Sequence, residues 1–144
     1  MHELTPQIGE MGAWTVVDDT GISLAVNGRL VGVATSKKNS HNHTEDTLPT
    51  NCGACRWYEV IIIKVDPAHY RCMYYASTQG HSSLPGERTY YRLRSATGAY
   101  ELVEVLTVRR NTGVYLPAPA SRALAMGASL EKDIEIAYIN RAVV

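Results

Sequence analysis

His41-Asn42-His43 and Cys52-Gly53-Ala54-Cys55 stand eight residues apart in a stretch with no other strong structural signal. Imidazole nitrogen and thiolate sulfur are the donors zinc prefers, and two of each fill a tetrahedron. A Cys-x-x-Cys pair turns both sulfurs toward one ion, and Gly53 and Ala54 are small enough for the tight turn this needs. In an extended His-x-His both rings point to the same side. All four candidates lie within 15 residues, so little loop entropy is lost on closing the ring. The pattern therefore predicts one bound zinc, held by His41, His43, Cys52 and Cys55.

The order of the pairs narrows the reading further. The histidines come first and an apolar strand pattern, not a helix, follows Cys55, so this is not a DNA-reading zinc finger. A redox Cys-x-x-Cys opens a helix in a βαβ setting, which the pattern here lacks. His69, Cys72 or His81 are the substitutes for one of the two histidines. Cys72, on the parity of Tyr70 and Tyr74, reads as a small buried apolar residue, and His69 as a turn residue.

The zinc ligands fall in an irregular polar segment, 36–55, too long for a plain connection. Around it the chain reads as strands. Ala13 to Val17 and Ile22 to Val26 flank the turn-forming Asp18-Asp19-Thr20-Gly21. Asn27-Gly28 has the composition of a two-residue hairpin turn, with Arg29 to Ala34 as a third strand. Arg56 to Val65 is apolar on both parities, as a central strand covered on each face would be. Tyr70 to Ala76, Glu87 to Leu93, Tyr100 to Arg109 and Val114 to Leu116 complete the strands.

Past Pro117 the period changes. Ser121 to Met126 predicts a short helix stopped by Gly127. Ser129 is placed to cap a second helix, with Leu130, Ile134, Ala137 and Tyr138 on one face and Ile136 and Ile139 thickening that stripe. Strands first and helices last predict an α+β fold. It has a mostly antiparallel sheet, an N-terminal meander and one or two helices over 117–142, all in one domain of residues 1–144.

Composition limits the function. The 14 basic and 14 acidic side chains cancel, which counts against a nucleic-acid binder, as such proteins carry a basic excess. No apolar run approaches the length of a membrane span. The N-terminus has no secretory pattern, so the expected compartment is the cytoplasm, where cysteines bind metal more often than they form disulfides. One local exception to the neutral balance is the parity set Arg88, Tyr90, Arg92 and Arg94, since arginine interleaved with an aromatic grips phosphate and stacks on bases. The plainer reading is a solvated sheet face balanced by Glu101 or Glu104 of a neighbouring strand.

The run His41-x-His43, Cys52-Gly-Ala-Cys55-Arg-Trp57 and the later Pro85-Gly-Glu-Arg88-Thr-Tyr90 resemble small zinc-binding orphan proteins of actinobacteria and their phages. The resemblance covers roughly residues 29 to 143. It implies a phage or host setting and assigns no activity.

Two functions follow from the metal. Four protein ligands leave no open position, giving a zinc-stiffened module that binds another protein, with Glu45 and Asp46 at the exposed tip of the loop. Three ligands and an open position would give a metal-dependent hydrolase or nuclease, with Glu45 or Asp46 as general base. A third reading, nucleic-acid binding, uses Arg88 and Arg92.

Overall fold

A computed structural model describes residues 8–36, 56–78, 88–110 and 113–140; the side chains of 56, 57, 76–78, 88, 89 and 110 fall outside that description. Five antiparallel strands follow one another in chain order: β1 (Met11–Val17), β2 (Ser23–Thr35), β3 (Arg56–Asp66), β4 (His69–Thr78) and β5 (Arg88–Thr97). Helix α1 (Ala99–Leu106) comes next, then a separate hairpin of β6 (Val108–Arg110) and β7 (Gly113–Tyr115). Helices α2 (Ala118–Leu130) and α3 (Lys132–Asn140) end the described chain. The α+β architecture and the central place of β3 are as the patterning predicts.

The sheet has two apolar faces. On one, Val31, Val60, Ile62, Tyr70, Cys72 and Ala96 pack against Leu102 of α1, Ala123 and Leu124 of α2 and Ile134 of α3. On the other, Val16, Val26, Leu30, Ile63 and Met73 pack together with Trp14, Tyr75, Tyr91 and Leu93 at their margin. This second face is covered by the sheet's own curl. Edge strands of a flat five-stranded sheet would lie about 19 Å apart. Here the turn after β1 reaches β5, where the Asp19 carboxylate accepts a hydrogen bond from the Leu93 N–H at 2.8 Å. A bulge in β2 contributes to the bend: Leu30 pairs with Ile63 and Gly32 with Ile62, leaving Val31 as the extra residue.

Five local expectations are corrected. Asn27-Gly28 is not a turn: β2 runs straight through it, with Asn27 opposite Ala13 and Gly28 opposite Gly12. Gly28 serves close approach instead, because a Cβ there would overlap the Lys64 carbonyl oxygen of β3. The hairpin forms at Asp18-Asp19-Thr20-Gly21, where the Asp18 carboxylate accepts from the N–H groups of Thr20 (2.9 Å) and Ile22 (3.0 Å).

The segment Tyr100 to Arg109 is mainly helix. Ala99, Leu102, Val103 and Leu106 are buried at the i, i+3, i+4, i+7 spacing of one helical face. Gly98, with φ 84°, separates this helix from β5. Helix α2 runs past Gly127 to Leu130, and the break falls at Glu131. Ser129 does not cap α3: its hydroxyl donates to the Ala125 carbonyl within α2. On α3, Ile134 and Ala137 are buried, whereas Ile136 and Ile139 face outward.

Candidate functional site

The predicted metal quartet His41, His43, Cys52 and Cys55 lies outside the described residues, as do Glu45, Asp46 and His81. The structure does describe the frame that carries the loop. Thr35 pairs with Glu59 across the last rungs of the β2–β3 ladder. Ser36, the last described residue before the loop, donates its N–H to the Tyr58 carbonyl and accepts the Tyr58 N–H on its Oγ, each at 2.8 Å. The chain therefore leaves and re-enters the sheet on adjacent strands, with the exit clamped from both sides.

The same frame decides between the substitute ligands. Arg56, one peptide bond from Cys55, pairs with Thr78 at the end of β4. His69 begins β4, nine strand steps away, so it stands roughly 30 Å from that end. One ion cannot take both Cys55 and His69. Locally, His69 Nδ1 lies 2.8 Å from Asp66 Oδ1; a carboxylate only accepts, so this nitrogen carries the proton. The Ala68 N–H and then His69 hold the Asp66 carboxyl below its usual range. Cys72 is equally unsuited. It sits mid-strand opposite Ile62, is 3% exposed, and burial pushes its thiol up to about 12. It is the inert core residue its parity predicts. Among the described residues, no three His, Cys, Asp or Glu side chains are grouped to hold a metal ion.

The arginine face forms on β5, but its charges are engaged within the fold. Arg92 lies 5.5 Å over the Tyr74 ring, which stacks on Tyr58 at 5.7 Å, and donates to the Val105 carbonyl of α1 at 3.3 Å. Arg94 Nη1 donates to both Asp19 oxygens, at 3.0 and 2.9 Å. The Leu93 N–H and Arg94 together hold the Asp19 carboxyl below its usual range. Glu101 and Glu104, expected on a neighbouring strand, are on α1 and pair with neither arginine. Tyr90 is exposed, and the side chain of Arg88 lies outside the description.

Comparison with family models, with curated proteins and with solved structures finds no match. Among the described residues no helix is long and apolar enough to cross a membrane.

One arrangement escaped the patterning. Helix α1, the β6–β7 hairpin and α3 line a half-open cavity of about 670 Å³. Reading Tyr100 to Arg109 as a strand hid it, because the cavity exists only when that segment is a helix. The helical spacing of Ala99, Leu102, Val103 and Leu106 is the signal that locates it.

Proposed function

We propose that the chain is a zinc-stabilised binding module acting through protein–protein interaction, with His41, His43, Cys52 and Cys55 as the zinc ligands. The donor set carries this reading. Two imidazoles and two thiolates in one short segment match a closed tetrahedral site, and they suit zinc better than a hard cation that takes oxygen. The Ser36–Tyr58 clamp supports it, since the segment that carries the donors leaves and re-enters the sheet on adjacent strands. With His69 and Cys72 removed as substitutes, four donors remain near the loop besides His81.

A loop ordered by its metal before any encounter loses less entropy on binding. Glu45 and Asp46, between the two donor pairs, give its partner-facing surface an acidic character. The partner, of phage or host origin, is then a protein with a basic patch at the contact.

Metal analysis of the purified full chain tests this. One zinc per chain is expected, lost in Cys52→Ser and in Cys55→Ser, with a lower melting temperature because structural zinc adds to folding free energy. Glu45→Ala with Asp46→Ala should keep both zinc and melting temperature. Metal-free protein of unchanged stability contradicts the proposal. So does zinc-dependent hydrolysis of a phosphoester or amide that Glu45→Ala abolishes.

A further inference from the structure

The cavity between α1, the β6–β7 hairpin and α3 combines features that together specify a ligand. Its inner wall is apolar, with Val103 buried and Leu116 half-buried. Tyr100 and Tyr115 stand at its rim, 61% and 47% exposed, so their rings are open to a flat partner. Asn140 donates to the Tyr100 hydroxyl at 3.2 Å and fixes that ring's edge. The remaining charge-bearing residues of the lining are one acid and one base, Glu104 and Arg109. Both are exposed, and neither side chain makes a hydrogen bond or ion pair with any described residue, including each other.

Opposite charges that share a cavity without pairing present a dipole rather than a net charge. A singly charged ligand would satisfy one and leave the other unmatched. A zwitterion satisfies both. The guanidinium fork matches a carboxylate with two parallel hydrogen bonds, and the Glu104 carboxylate accepts from an ammonium group. A volume of about 670 Å³ is within the range of small-molecule sites and exceeds what a single free amino acid fills. The two tyrosine rings favour an aromatic side chain in offset or edge contact.

We propose that this cavity binds a zwitterionic dipeptide bearing an aromatic side chain, with its ammonium on Glu104 and its carboxylate on Arg109. The lining residues belong to α1, β6, β7, α3 and the residues that adjoin them, and none belongs to 37–55.

Titration of the full chain with the dipeptide Leu-Trp, followed by calorimetry or amide chemical shifts, tests it. The N-acetylated and C-amidated forms each remove one charge. Saturable binding of the free dipeptide is expected at a Kd at or below about 1 mM. Blocking either end should weaken it by about tenfold. The variants assign each end: Glu104→Gln should bind the free and acetylated forms equally, and Arg109→Gln the free and amidated forms equally. Both positions are exposed, so unchanged melting curves verify that the variants fold. Absence of saturable binding at millimolar dipeptide, equal binding of all three forms by the unaltered protein, or variants that keep its preferences would each overturn the assignment.

Discussion

Glu131 occupies the break between α2 and α3 and is the buried charged side chain of the described residues. Its two oxygens take Arg29 of β2 and Lys64 of β3, tying the helix break to two strands of the sheet. Removing its charge leaves two cations facing a carboxamide. The Arg29 and Lys64 side chains are 34% and 22% exposed, which lowers the loss below that of a fully buried pair. Glu131→Gln should therefore lose about 2 kcal/mol in urea unfolding. Asp19 makes a different test at this scale. Its pKa is depressed, chiefly by the Leu93 N–H and then by Arg94, so its contribution is complete above the unfolded carboxylate range. That contribution disappears as pH falls through the lower folded value. Asp19→Asn should melt below the unaltered protein at pH 7, and the two curves should converge once the pH has fallen through the lowered folded value. Melting temperatures taken across that range check this; parallel curves would contradict it. At this scale the sequence shows Cys72 plainly, because strand parity alone decides its burial. It hides Asp19 and Glu131, whose partners lie far along the chain and meet them only after the sheet has curled.

Local turn chemistry competes with ladder pairing at the scale of elements, and β2 shows which prevails. Asn27-Gly28 has the preferred composition for a tight turn, yet it pairs with Ala13 and Gly12 of β1, and pairing with β3 begins at the next residue, Arg29. A turn there would break the β1 ladder and detach it from the residues that pair with β3, so the strand continues. The end of β2 illustrates the use of glycine for contact. A Cβ on Gly32 would overlap the Ala123 carbonyl oxygen, which is backbone of α2 and cannot rotate away. Gly32→Ala should push α2 off the sheet and destabilise the fold by about 2 kcal/mol. Urea unfolding measures it, and an unchanged midpoint would contradict the close crossing. The central strand β3 was legible because both of its parities are apolar. The helix α1 was not: its valines and leucines suit either a strand or a helix, and only burial against α3 and β5 selects the 3.6-residue period.

The sheet has two ends, each gathering a different set of connections. Adjacent antiparallel strands bring the exit of β2, the start of β3, the exit of β4 and the start of β5 to one end of the sheet, through the pairs Thr35–Glu59, Arg56–Thr78 and Thr78–Arg88. Residues 37–55 and 79–87 both join strands at that end. The turns Asp18–Gly21 and Pro67–Ala68 are at the other. The segments that carry the predicted zinc ligands and His81 are thus both attached at that end of the sheet, and His69 begins β4 at the other. The fold class followed from the order of patterns, strands before helices. The curl did not, since it depends on a one-residue bulge at Val31 and on a contact between the sheet's two edges. The central claim is a closed site of two histidines and two cysteines. X-ray absorption at the zinc edge of the purified protein tests it most directly. One zinc per chain is expected, with two sulfurs at about 2.3 Å and two nitrogens at about 2.0 Å. A shell without sulfur, or one with two sulfurs and an exchangeable oxygen in the fourth position, would contradict it.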